Sequence, residues 1–151
     1  MNISIISFVT LLILICFCVT PKKMHIFEII FILLVVWLLD HPISWIIYVN
    51  LSWIKVSTNL GNFWAEVFDR LVLLPLLIMV FFEAILRSNR TATKCIILCV
   101  GILILVLDEY ALLKMGVLEN VNWNIFYSLI EKGFVVLVPY FLWGRYRRKI
   151  F

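Results

Sequence analysis

Residues 123–143 read WNIFYSLIEKGFVVLVPYFLW. At about 1.5 Å per residue this run makes a helix of roughly 30 Å, the thickness of a bilayer's hydrocarbon core. Glu131 and Lys132 interrupt it, about 12 Å below Trp123 and about 18 Å above Trp143. A charge at such depth costs roughly 2.5 to 3.5 kcal/mol on insertion scales, so each needs a partner or water. The stretch therefore reads as a membrane-crossing helix that faces a polar interior.

The rest of the chain agrees. It is 65% hydrophobic and only 15% charged, whereas soluble domains run at about 45 to 50% apolar and about 25% charged. Once the apolar runs are counted no soluble domain is left, so residues 1–151 form a single transmembrane domain. The net charge of +4 is dispersed among loops and one tail, and a nucleic-acid partner is not expected. Cys16, Cys18, Cys95 and Cys99 lie inside apolar runs with no histidine beside them. Buried apolar cysteine is the common state, and no metal or cofactor is expected.

Outward from 123–143, four more stretches are long enough, or nearly so, to cross: 3–20, 24–41, 67–86 and 95–113. The first has no Lys or Arg before it, while Lys22 and Lys23 follow it. It reads as a retained span with its N-terminus outside rather than a cleaved signal. Residues 24–54 would make one helix of roughly 46 Å, too long for a single crossing. Asp40-His41-Pro42 is the expected break, with Pro42 ending the span and Asp40 capping a second helix over about 42–55. Ile43, Trp45, Ile46, Tyr48 and Trp53 suit a helix lying in the interface. A hairpin of two half-spans, giving six crossings, is the rival.

Charge decides between them. Five spans put Lys22, Lys23, Arg87, Arg90, Lys94, Arg145, Arg147, Arg148 and Lys149 on one side, and only Lys55 and Lys114 on the other. Positive residues collect on the cytoplasmic side, so the C-terminus is inside. Trp45, Tyr48, Trp53, Trp64, Tyr110 and Trp123 fall at the outer ends, as an aromatic belt would. The fold class is all-α: an integral membrane helix bundle of five transmembrane helices and one interfacial helix. Arg145, Arg147, Arg148 and Lys149 then form an anchor for anionic lipid headgroups.

Four spans carry ionisable groups into the outer half: Asp40 and His41, Asp69 and Arg70, Asp108 and Glu109, Glu131 and Lys132. Two readings stand: an outward-facing polar pocket for an ion or small polar molecule, and interhelical ion pairs that hold the helices in register. Glu66 and Arg70, four apart with the acid first, make a favourable pair that also suits a solvated helix start. Gly101 lies on the face of Asp108, predicting a close-packed neighbour there with Asp108 inward, while Glu109 reaches the surface beside Tyr110. Adjacent helical residues point about 100° apart. Lys132 is therefore expected to meet Asp108 or Asp69, and Glu131 to meet Arg70 or water. Asp40-His41 resembles half a metal site, but a helix break explains it better. No phosphate loop, HExxH or GxSxG is present.

Pro21-Lys22-Lys23 after a first apolar span, Glu28 early in the second, Phe63 with Glu66 before the third, Asp108-Glu109 late in the fourth, and Gly116 with Asn122-Trp123 before the last give a recognisable layout. It resembles a group of uncharacterised small multi-pass membrane proteins of endospore-forming Gram-positive bacteria, although the spacing of Pro75 departs from theirs. The resemblance implies a bacterial cell membrane and no mechanism. The expected function is non-enzymatic: an accessory subunit of a membrane complex, or a protein presenting an outward-facing polar pocket. Alternatives are a small-solute or proton-linked transporter and an intramembrane enzyme. Expected partners are the lipid bilayer and either another membrane protein or a second copy of the chain.

Overall fold

The computed structural model describes residues 2–150. Helix α1 (Asn2–Val19) is followed by α2 (Ile26–Trp45), which runs on through a π turn (Ile46–Asn50). Strand β1 (Ile54–Val56) leads to α3 (Leu60–Phe68), a second π turn (Asp69–Leu73) and α4 (Leu74–Arg87). Then come α5 (Thr91–Lys114), β2 (Leu118–Asn120) and α6 (Ile125–Ile150). Apart from one two-stranded sheet the described residues are all-helical. Among them four helices are long and apolar enough to cross a membrane: Asn2–Val19, Ile26–Asn50, Thr91–Lys114 and Ile125–Lys149.

The rod α3–α4 is the central one. Leu74, Leu76, Ile78, Met79, Phe82 and Ile85 of α4 are all buried, and α1, α2 and α5 each pack against it. Helix α6 closes the bundle by packing on α2 and α5. Helix α1 is peripheral: it buries Ile6, Thr10 and Phe17 and leaves Phe8, Leu11, Leu12 and Ile15 exposed. Gly101 of α5 meets α4 directly. A Cβ there would lie 2.8 Å from the Phe81 ring, so the close neighbour predicted on the face of Asp108 is present.

The helix starts follow their sequences. His25 caps α2 in a reciprocal box, in which its backbone N–H donates to Glu28 Oε2 at 2.8 Å and its side chain accepts from Phe27 N–H. Asn59 Oδ1 accepts from Gly61 N–H at 2.9 Å to open α3, and Asn124 Oδ1 accepts from Phe126 N–H at 2.9 Å to open α6. Such caps satisfy amide donors that the first turn leaves without partners.

The expected break at Pro42 does not occur. Helix α2 continues through Pro42, although proline costs about 3 kcal/mol or more inside a regular helix. Membrane helices tolerate it when the backbone adjusts nearby, and here the π turn after Trp45 is that adjustment. Residues 42–50 thus continue α2, within one candidate span Ile26–Asn50, rather than forming a separate helix. The helix ends at Asn50, and Ser52 just beyond it has a left-handed φ of 52°. Residues 54–56 are strand, not helix: Ile54, Lys55 and Val56 pair antiparallel with Asn120, Glu119 and Leu118. Lys55 opposite Glu119 adds a favourable cross-strand charge pair. The sheet lies over the bundle end opposite the basic tail, with Ile54, Val117 and Leu118 packed beneath it.

The second π turn precedes Pro75. The Leu71 carbonyl, which an N–H at residue 75 would otherwise meet, accepts the Trp37 indole N–H at 3.0 Å. A buried carbonyl without a donor is costly, so Trp37 secures α2 to the central rod at the turn that carries Asp69 and Arg70.

Candidate functional site

Ser44, Tyr48, Glu66, Asp69, Arg70, Asp108, Glu109, Ser128, Glu131 and Lys132 converge beneath the sheet, together with Asp40. Arg70 is the first centre. Its Nε lies 2.6 Å from Glu66 Oε1, and its Nη1 lies 3.3 Å from Asp40 Oδ2. Its Nη2 donates to the Tyr48 hydroxyl, and the guanidinium stacks on the Tyr48 ring at 4.5 Å. Ser44 Oγ donates to the Asp40 backbone carbonyl at 2.6 Å. Asp40 is therefore a buried ion-pair partner and not a helix cap. The Glu66–Arg70 pair is likewise buried rather than a solvated helix start.

Lys132 is the second centre. At 4% exposure its ammonium lies 3.2 Å from Glu109 Oε2 and 3.2 Å from Glu131 Oε1. Glu109 Oε1 accepts from the Trp123 indole N–H at 2.7 Å and from Ser128 Oγ at 2.9 Å. Two expectations are corrected here. Lys132 takes Glu109 rather than Asp108 or Asp69, and it pairs with its own neighbour Glu131. The reason is the width of the buried face of α6, where Ser128, Glu131, Lys132, Val135 and Val136 all point inward. A four-carbon arm spans the angle between adjacent positions. Glu109 is accordingly a core residue and does not reach the surface beside Tyr110.

Asp69 and Asp108 remain. Neither has a cation within ion-pair distance among the described residues. Asp69 Oδ1 is buried with no hydrogen-bond partner, and Asp108 stands in the same cavity lining. Both line an internal cavity of about 10 Å³ together with Tyr48, Arg70, Glu109 and Lys132. Asp40 Oδ1 is also buried without a hydrogen bond. The cluster thus sets six carboxyl groups against two cations.

His41 is not part of this core. It is exposed at the rim of a second cavity of about 280 Å³, whose inner wall carries Tyr48, Glu66 and Arg70. The remaining lining is largely apolar, including Trp45, Val49, Phe63 and Val67.

A separate pair of clasps ties the basic end. Glu28 Oε1 accepts from the Trp143 indole at 2.9 Å and from Arg147 Nη1 at 3.2 Å. Glu83 accepts the backbone N–H groups of Lys23 at 2.7 Å and Met24 at 3.1 Å and pairs with Arg87 at 3.4 Å. Arg147 is therefore held by the protein, while Arg145, Arg148 and Lys149 are exposed. The four cysteines are exposed free thiols. Among the described residues no group of three or more His, Cys, Asp or Glu side chains could hold a metal ion.

Sequence reasoning missed Tyr48, Trp123, Ser44 and Ser128, having placed the two aromatics in an interfacial belt. Spacing carried the signal: Ser44 and Tyr48 follow Asp40 by one and two helical turns, and Ser128 precedes Glu131 by three residues. Compared with protein-family models, curated proteins and solved structures, the chain finds no match.

Proposed function

We propose that the protein is a non-enzymatic multi-pass protein of a bacterial cell membrane that presents an outward-facing pocket to a small amphiphilic cation. In this reading α3–α4 supplies a fifth crossing, the N-terminus is outside and the basic C-terminus inside. The observation that carries the reading is the 280 Å³ cavity whose polar wall is Glu66–Arg70–Tyr48 and whose remaining lining is apolar and aromatic. Arg70 is already matched by Glu66 in the wall and by Asp40 behind it, so the three together carry a formal charge of −1, which disfavours anions. Trp45 and Phe63 are in the lining and are aromatic, the residue type that attracts a cation, and Val49, Val56 and Leu71 suit an apolar body.

Transport is the weaker reading. Between the charged cluster and the basic end stands an apolar layer of Ile32, Val36, Ile78, Phe82, Val135 and Val136, and an ion crossing it would be stripped of partners. Calorimetry in mild detergent with benzyltrimethylammonium and with benzylsulfonate tests the proposal. The cation should bind, the anion should not, and Glu66→Gln should weaken cation binding about tenfold, as loss of one close charge contact implies. Equal binding of the two probes, or an unchanged affinity in Glu66→Gln, overturns it.

A further inference from the structure

The allocation of charge within the core leaves one pair over. Arg70 engages Asp40 and Glu66, and Lys132 engages Glu109 and Glu131. Asp69 and Asp108 are left with each other. We propose that Asp69 and Asp108 form a binding site for one exchangeable proton, shared between their carboxyl groups and served by a single water. This site adjoins the Arg70 pocket, with Tyr48 and Arg70 lining both cavities, and does not depend on a ligand there.

Three observations carry the inference. The first is placement: both side chains line the same small cavity, and neither has a cation within ion-pair distance among the described residues. Two like charges so placed do not both ionise, and the acid that keeps its proton can donate it to the other, since a carboxylate only accepts. The second is the orphaned atom. Asp69 is 3% exposed, and its Oδ1 has no hydrogen-bond partner within the protein. The third is the cavity of about 10 Å³ beside the pair, which is about the space that one water needs. Water there satisfies Asp69 Oδ1 and gives the proton a route off the pair. On release both aspartates become carboxylates and the proton leaves on water; on binding one becomes the acid again.

The surroundings set the ligand. The groups facing the pair are Lys132 from α6, Glu109 from α5, Tyr48 from the α2 extension and Arg70 on the adjoining turn position. Both nearby cations are within ion-pair distance of two other carboxylates each and of neither aspartate. A metal ion would need at least one more ligand of the right kind, and none converges among the described residues. Hydrolytic chemistry by the aspartate pair would need a substrate beside the water, and the cavity has no room for one.

Infrared spectroscopy of the purified protein in mild detergent tests this. At neutral pH a protonated-carboxyl C=O stretch should be present and should shift in heavy water. Asp69→Asn and Asp108→Asn should each abolish that same band, because removing either partner removes the shared proton. Asparagine is nearly isosteric with the neutral acid, and circular dichroism confirms that each variant is folded. If one variant fails to fold, the wild type still decides: the band must disappear reversibly as pH is raised and must not change when sodium is replaced by N-methylglucamine. Absence of the band at neutral pH overturns the proposal. So do its survival in both variants, which locates the proton elsewhere, and its loss on adding sodium, which makes the ligand a metal ion.

Discussion

Replacing Lys132 with methionine removes the cation that serves Glu109 and Glu131 in the buried core. The ammonium lies 3.2 Å from an oxygen of Glu109 and 3.2 Å from one of Glu131. At an effective dielectric of about 20, each contact carries roughly 5 kcal/mol of attraction, and drying three charges offsets most of that sum. The loss on mutation is asymmetric, because it leaves two acids buried without a cation. Breaking a buried pair in this way costs about 3 to 5 kcal/mol. Lys132→Met should lower the unfolding free energy by that amount in mixed-micelle denaturation followed by tryptophan fluorescence. Adding Glu109→Gln should return part of the loss, since glutamine still accepts from Trp123 and Ser128 and needs no counter-charge. Adding Asp40→Asn, on the other cation, should return nothing. Stability of Lys132→Met within about 0.5 kcal/mol of wild type, or equal rescue by the two second-site changes, refutes the reasoning.

Three further outcomes are expected. Gly101→Ala should destabilise by about 1 to 3 kcal/mol through overpacking on Phe81, with Phe81→Leu restoring part of it in the same denaturation assay. In a cysteine-free background, a thiol at Ile47, which is buried, should resist a membrane-impermeant reagent, while one at exposed Asn50 should react; equal rates at the two sites would mean that α2 does not continue past Pro42. A reporter fused after Phe151 should read as cytoplasmic and one inserted at Gly116 as external, and a common side for both would contradict an odd number of crossings.

Long apolar runs made the helices legible, because a 20-residue stretch of Ile, Leu, Val and Phe leaves few alternatives. Gly101 against a neighbour and Asp108 facing inward followed from helical spacing alone. What misled was local rule applied without tertiary context. Pro42 reads as a terminator, yet a π turn placed later absorbs it. Tyr48 and Trp123 read as belt aromatics, yet each gives its polar atom to a buried charge. The strands at 54–56 and 118–120 are three residues each and pair across 62 positions at the near end, so neither shows a period of its own. Glu109 and Lys132 found each other for a reason that a flat helical wheel hides, namely the reach of lysine.

The placement of Lys132 on the last helix has a consequence for biogenesis. Ribosomes deliver the chain from its N-terminus at about 5 to 20 residues per second. Glu109 therefore emerges roughly 1 to 5 s before the lysine that neutralises it. Through that interval α5 holds an acid whose cation has not yet been made, together with a tryptophan and a serine donor, Trp123 and Ser128, that are also still to come. The nascent bundle must keep this acid in contact with water until α6 arrives. Docking of α6 is then a capture of charge as well as the burial of an apolar helix, and it is the step at which the half-built bundle becomes able to exclude water.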